Sequence, residues 1–472
     1  MNQRPVALIR TVLVFLASLF LNQASASDKP NSNRTPSVAE PGIQFDPLPR
    51  SPLNSLLPKW TWKGAKGNTG VFRCKLDNDD LAKGSVSTTQ GEYSPTSPLR
   101  EGRHILFVQE KTPEGAWTPT ASRELILSKR EPVGNPGFTP GTAAFPSLAF
   151  GPGDTPFVAF SDKAHELKAT VMKFDGRKWT IVGMPGLTRQ FVNEVDLAIS
   201  KNGIPFVAFS NSAEEYRASV MLFKNRIWQS VGNAGISQDQ ASNIALALGK
   251  NDQPVIAFRD AEVDDNITVM RFNGTKWEIV GTRGTAHGAA ESISIAFDST
   301  GTPYVAYKDQ GFGSKVSVMK LVAGDWETLG GPGLSSGAVD HVSLAVTKSG
   351  TAYVVYGDLA NGNKATVKRF NRVGWEAVGN EGFSEGVAYH TSIALDKKGN
   401  PYVAFGDGAH KIKATVMRFN GTAWESVGPP GISSSIAGSC DLSISSLGIP
   451  HVVFEDSTFA DKLTVLKTSF EQ

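Results

Sequence analysis

An all-β fold assembled from one repeated supersecondary unit is what this sequence predicts, and three observations predict it. Six tryptophans, Trp179, Trp228, Trp277, Trp326, Trp375 and Trp424, recur every 49 residues without insertion or deletion, and self-similarity at such a period marks a repeat architecture. Each unit reads as short runs of period-two alternation separated by Gly, Asn and Pro turns. The array also ends on an incomplete unit whose missing piece lies upstream.

The chain starts with basic residues (Arg4, Arg10), an apolar run from Thr11 to Leu21 and Ala24-Ser25-Ala26. Residues 1–26 read as a secretory signal cleaved after Ala26, and a secreted or periplasmic protein is expected. The apolar run is short for a membrane span, so no membrane insertion is expected. Lys and Arg total 47 against 45 Asp and Glu; Arg4 and Arg10 leave with the signal, so the mature chain is formally neutral. That balance gives no electrostatic pull toward nucleic acid. Residues 27–57, rich in Pro, Ser and Asn, read as a disordered linker.

Residues 58–128 carry Phe72-Arg73-Cys74-Lys75-Leu76-Asp77, then Leu99 to Val108, then Ala121 to Leu127, which read as strands of a small sandwich. Alternation points Cys74 inward with Phe72 and Leu76. Cys440 occupies a repeat position otherwise held by Val195, Ile244, Ile293, Val342 and Thr391. Two buried free thiols are expected rather than a bridge, since each cysteine stands where a small hydrophobe belongs.

Within one unit of the array (residues 129–472), Ser392 to Leu395 and Tyr402 to Phe405 are two strands, Lys413 to Phe419 a third, and Trp424 to Gly428 a fourth entered through an Asn420-Gly421 hairpin turn. The two inner strands are apolar or small on both faces, as radially stacked sheets require and a one-sided sandwich does not. The seventh copy stops after its third strand, and Lys129 to Phe138 aligns with Lys178 to Leu187 one period later, Arg130 taking the tryptophan slot. A seven-bladed β-propeller, its last blade closed by the upstream strand, is expected; a solenoid would want polar caps instead.

On the motif Phe72 to Asp77 followed by Leu99 to His104, the N-terminal stretch resembles bacterial immunoglobulin-like modules of secreted proteins. The phrase V-M-x-F-[ND]-G-x-x-W-x-x-V-G-x-x-G-F-S, seen at Val416 to Ser433 and Val171 to Thr188, resembles propeller repeats of secreted bacterial proteins. That resemblance implies the fold and an extracellular setting, with no particular activity.

The polar face of the array offers several readings. Each second strand ends on an acid (Asp162, Asp260, Asp309, Asp358, Asp407, Asp456; Asn211 is the exception) with a Lys or Arg six residues on in most units, which reads as a turn-forming acid plus a cross-strand pair rather than a ring of ligand anchors. The tryptophans read as packing between blades rather than sugar platforms. The informative positions are those where the repeat breaks its own symmetry, at the entry of the innermost strands. Glu194, Asn243, Glu291, Asp340, His341, Tyr389, His390 and Asp441 are therefore the candidate ligand-binding residues of a channel mouth.

His341 and His390, with Asp340 or Asp441, could hold a metal, yet no third ligand stands at diagnostic spacing, and neither metal nor cofactor is expected. Glu194 with Glu291 or Asp196 could act as acid and base on a glycoside, but no nucleophile elbow, phosphate loop or zinc motif is present. No catalytic residue is assigned. The expected function is a non-enzymatic binding module for a glycan or protein ligand at the cell surface, recognised on the long-loop face. The alternatives are a polysaccharide-active enzyme at the channel mouth and an envelope-associated scaffold. Oligomeric state is open.

Overall fold

A computed structural model describes residues 42–46, 57–97, 99, 102–127 and 129–469. The signal segment and most of the linker expected from the sequence lie outside the described residues. Among those described there is no α-helix; the chain forms nine sheets, eight of them four-stranded, all antiparallel, with short 3-10 turns. Among the described residues no helix is long and apolar enough to cross a membrane.

The N-terminal part holds two small sheets. Gln44–Phe45, Trp60–Lys63 and Glu92–Tyr93 form one, and Val86–Thr88, Phe72–Leu76, Gly102–Glu110 and Ala121–Leu127 form the other. Period-two alternation buries Trp60, Trp62, Phe72, Cys74, Leu106 and Val108 in a shared core. Cys74 is a free buried thiol pushed up to about 11 by burial, and Cys440 is likewise free and buried.

The repeated part holds seven four-stranded sheets, numbered here one to seven along the chain. In the sixth, Ala388–Leu395, Pro401–Asp407, Lys413–Phe419 and Trp424–Ser426 lie in that order. The first strand starts four residues before the expected Ser392, because the register shifts between Tyr389 and Ser392 and pairing resumes beyond the bulge. In the seventh sheet, Ala437–Ile444, Pro450–Asp456 and Lys462–Ser469 are joined by Lys129–Pro132 from upstream. There Thr468 pairs with Arg130, the register in which Phe419 pairs with Trp424. The first strands of successive sheets touch one another, and that of the seventh touches that of the first.

The second strands are buried nearly throughout, as Pro401–Asp407 shows, with Arg259, Lys308 and Glu455 half-buried at one shared position, because the sheet is covered on both faces. One core cluster accordingly draws Val355 and Val367 from the fifth sheet and Val403 and Phe405 from the sixth. Two sets of hydrogen bonds cross between sheets. At the outer edge each tryptophan indole donates to a carbonyl of the preceding unit: Trp179 to Val133 (2.6 Å), Trp228 to Val182 (2.8 Å), Trp277 to Val231 (2.7 Å), Trp326 to Val280 (2.7 Å), Trp375 to Leu329 (2.7 Å) and Trp424 to Val378 (2.6 Å). The tryptophans are thus inter-sheet clasps, as the sequence reading holds.

At the inner edge, the side chain at one repeat position of every first strand but the third, where it is Ala245, accepts the N–H of the next. Ser147 takes Leu197 (3.1 Å), Asp196 takes Leu246 (2.7 Å), Ser294 takes Leu344 (3.1 Å), Ser343 takes Ile393 (3.2 Å) and Ser392 takes Leu442 (3.1 Å). Asp441 takes Leu148 of the first sheet (2.8 Å) and Ser392 Oγ (2.8 Å). Burial pushes the Asp441 carboxyl up to about 6.

Three outcomes follow. Gly281 has φ +69° and an added Cβ would lie 2.6 Å from Trp326, whereas the hairpin Gly274 (φ +103°) has open space. Gly281→Ala should destabilise by about 1–3 kcal/mol more than Gly274→Ala, read by thermal melts, since both carry the left-handed strain but only the first overpacks the clasp. Because the folded pKa of Asp441 is raised, its contribution is fully present below about pH 4 and lost as pH rises through 6. Relative to wild type, Asp441→Asn should therefore gain stability on the order of 2 kcal/mol between pH 4 and 7, and a flat difference would refute the assignment. Finally, both thiols should resist a thiol reagent in the native protein and react after unfolding, with none lost to a bridge.

Candidate functional site

The face bearing the 3-10 turns is built on the acid that ends each second strand. Asp162, Asp260, Asp309, Asp358, Asp407 and Asp456 are buried, and one oxygen of each caps the following turn. The other oxygen accepts a hydroxyl eight residues on: Thr170 (3.0 Å), Thr268 (2.5 Å), Ser317 (2.8 Å), Thr366 (3.0 Å), Thr415 (3.3 Å) and Thr464 (2.9 Å). The lysine six residues on stands opposite in register, as Asp162 with Lys168, but Lys168 reaches Glu166 instead. The acid is a turn builder whose side-chain partner is the hydroxyl.

Above this layer the first strands bulge where the sequence predicts asymmetry. Phe145, Asn243, Ser292, His341 and His390 have φ of 49–53°, the left-handed region that costs a side chain strain and re-aims it. Two of these side chains, and Glu194 at the equivalent position of the second sheet, bind the next sheet's backbone: Glu194 accepts from Ile244 N (3.2 Å), Asn243 from Ser292 N (2.7 Å) and Ser292 from Val342 N (2.8 Å). His341 and His390 instead lie against each other, ring centroids 4.3 Å apart. Burial lowers both, His390 to about 4 with its neighbour His341 adding to the fall, so the pair is neutral at physiological pH. Of their expected carboxylate companions, Asp340 meets Lys308 (3.9 Å) and Asn363 (3.4 Å), and Asp441 is held in the inner ring.

Between the second and third sheets opens a cleft of ≈ 460 Å³. Phe191 and Tyr216 form one wall, edge to face at 6.3 Å and 65°. Glu194, Gln240 and Ser242 line it as well, together with Arg259, which is bound to Asp265 at 2.6 Å. Burial raises the Glu194 carboxyl, against the N–H groups of Asn243 and Ile244. The hydrogen bond to Arg259 holds Asp265 below the usual carboxylate range. From Arg259 alternating charges run on through Glu291 (3.8 Å), Lys308 (3.2 Å) and Asp340.

Of the expected residues, the cleft takes Glu194; Asn243 is the brace beside it, Glu291 and Asp340 belong to the charge chain, and His341 and His390 form a separate pair. Tyr389 stands opposite Gly406 in the sixth sheet, away from the cleft. Arg259, Lys308, Tyr216 and Asp265 were not singled out by sequence reasoning. Their signal is the same broken symmetry at two other registers: Ser161, Ser210, Arg259, Lys308, Gly357, Gly406, Glu455, and Leu167, Tyr216, Asp265, Ser314, Asn363, Ile412, Asp461.

The acid and base pairing with Glu194 finds little support in this geometry. Asp196 accepts from Ser147 Oγ, Leu197 N and Leu246 N, and Glu291 is taken by Lys308 and by Gln310 at 2.6 Å. Both carboxylates are thus engaged by partners within the fold.

No family model matches this sequence, and no curated protein is similar to it. Among solved structures, a variant of Aleuria aurantia lectin in complex with Fucα1-6GlcNAc is 13% identical over 64% of this chain and 99% of its own, with a TM-score of 0.42. An ulvan lyase is 10% identical over 70% of this chain and 94% of its own, at 0.48. An α-L-arabinofuranosidase of Fusarium graminearum in complex with arabinobiose is 10% identical over 73% and 98%, at 0.42. At such identities and scores these likenesses carry no argument about ligand or activity.

Proposed function

We propose that this protein is a secreted or periplasmic seven-bladed β-propeller, preceded by an immunoglobulin-like module and released by cleavage after Ala26, that binds a glycan without cleaving it. The binding site in this reading is the cleft between the second and third blades. The observation that carries it is the juxtaposition of the Phe191–Tyr216 wall with Glu194, Gln240, Ser242 and the Arg259–Asp265 pair in a concavity of ≈ 460 Å³. An aromatic wall suits the apolar C–H face of a sugar, and fixed donors and acceptors in the same cleft suit its hydroxyls. A volume in the ordinary ligand-pocket range accommodates a short oligosaccharide rather than a protein loop of any length.

One observation favours a second reading. Burial raises the Glu194 carboxyl, the direction in which a general acid is tuned, so cleavage of the bound polysaccharide is the alternative. A glycan array probed with the mature chain decides. The proposal expects retained glycans, no product on incubation, and affinity reduced about tenfold or more in Arg259→Ala and in Tyr216→Ala, the loss of a charged hydrogen bond or an aromatic wall. Product that disappears in Glu194→Gln establishes the enzyme; an array without hits, or hits indifferent to both variants, overturns the cleft.

A further inference from the structure

Away from the cleft, two cavities of ≈ 220 Å³ each occupy the same place in two different blades. Phe209, Asn211 and Ser219 line the one in the second blade; Phe454, Asp456 and Thr464, each five repeats later, line the one in the seventh. Both sit where the second strand ends beneath the turn face, beside Asp456 and Thr464 in the seventh blade and beside Asn211 and Ser219, which replace that acid–hydroxyl couple, in the second.

The other five blades explain why a cavity opens there. In each of them a further side chain reaches the same buried aspartate oxygen: His165 in the first (2.8 Å), Arg283 in the third (2.7 Å), His287 in the fourth (3.4 Å), Asn361 in the fifth (2.8 Å) and His410 in the sixth (2.9 Å). These plugs come from three repeat positions. In the second blade those positions carry Glu214, Ala234 and Arg189, and all three line the cavity. In the seventh they carry Phe459, Pro136 and Ser434, the last two again lining it. In both blades that hold these cavities the plug is replaced, and in the seventh a hydroxyl, Ser435 Oγ, reaches the other Asp456 oxygen at 3.2 Å.

The second-blade cavity shows what it lacks. Glu214 Oε2 is buried without a hydrogen-bond partner among the described residues, and an unmet buried acceptor is costly. Around it stand the Asn211 amide, the Ser219 hydroxyl and the apolar surfaces of Phe209, Met221 and Trp228. One unmet acceptor beside an apolar wall fits a hydroxylated ring, and because Arg189 Nη1 stands 3.9 Å from the other Glu214 oxygen the carboxylate charge is answered within the protein, which suits an uncharged ligand.

We propose that these two cavities are a second class of binding site, each taking one neutral pyranose unit whose hydroxyls meet Glu214 and Asn211 in the second blade, and Asp456 in the seventh. The ligand class rests on the glycan reading above; the site is separate from the cleft. Two such subsites on one disc give a repetitive glycan avidity beyond either alone.

The test rebuilds the plug that the fold itself uses. The probe is a set of methyl pyranosides (glucoside, galactoside, mannoside, xyloside, fucoside), added to the mature chain up to about 20 mM, where weak monosaccharide binding is visible. The expected result is saturation transfer to at least one of them and a shift of the Trp228 indole N–H resonance. Glu214→His, which restores the first- and sixth-blade plug, should abolish the indole shift and reduce the transfer; adding Phe459→His should remove the rest. Both variants should melt like wild type, because the same histidine is tolerated in two blades. Arg259→Ala should leave the pyranoside signals intact even where it ends binding on the array, which separates this site from the cleft. No pyranoside binding, or binding unchanged by the histidine plugs, overturns the proposal, and binding lost in Arg259→Ala alone assigns the sugar to the cleft instead.

Discussion

The tryptophan clasp is the interaction on which the repeated part depends. A sheet covered on both faces needs a fixed distance to its neighbours, and the indole sets it: the ring lies on a glycine of the preceding unit while its N–H closes on the carbonyl one residue earlier, as with Trp326 on Gly281 and Val280. The glycine is required twice over, by its left-handed φ and by the approach of the ring. That is the physical content of the Val-Gly phrase after the tryptophans, Leu329-Gly330 after Trp326, and it makes the 49-residue spacing rigid. An inserted residue between clasp and strand would carry the indole off its carbonyl.

Closure joins the seventh sheet to the first, where the Trp179 clasp on Val133 is kept, while Arg130 in the tryptophan slot puts no tryptophan at the junction of the sixth and seventh sheets. Here the ring is tied by backbone pairing of Lys129–Pro132 with Lys462–Ser469 and by contacts from both ends of the array. Asp441 reaches Leu148 N, Glu455 reaches Phe145 N at 3.2 Å, and Ser446 meets Asp154 through both its N–H (2.6 Å) and its hydroxyl (2.7 Å). These charge-assisted bonds are stronger than neutral ones, so the join made by distant parts of the chain is not left to packing alone.

Much of this was legible in the sequence because it is periodic. The tryptophan spacing, the hairpin turns and the upstream match at Lys129 to Phe138 each state a backbone fact in one dimension, and the structure pairs Arg130 where the alignment puts it. The bulge register was legible as broken symmetry, and the tendency of strained positions to gather at sites makes that a physical signal. What escaped were contacts between different registers. Arg259 reaches Asp265 across a turn and Glu291 across a sheet boundary, and the plugs that reach the buried aspartates come from three unrelated offsets. Comparing one column of the repeat at a time cannot show that His165, Arg283 and His287 do the same work.

That convergence also accounts for the one blade that breaks the acid rule. A buried carboxylate is tolerable while donors surround it, and five aspartates have a turn N–H, a hydroxyl and a plug. In the second blade the plug position holds Glu214, and an aspartate there would face a second carboxylate in a partly desolvated pocket, where like charges disfavour each other's ionised forms. Asn211 keeps the turn cap, its Oδ1 accepting from Ala213 N (2.9 Å) and Glu214 N (3.3 Å), while removing the charge. Asn211 and Glu214 are therefore one coupled departure from the repeat. It preserves the fold's turn while exchanging an internal donor for an empty acceptor, the change expected where a repeat position is turned from holding the structure to holding something else.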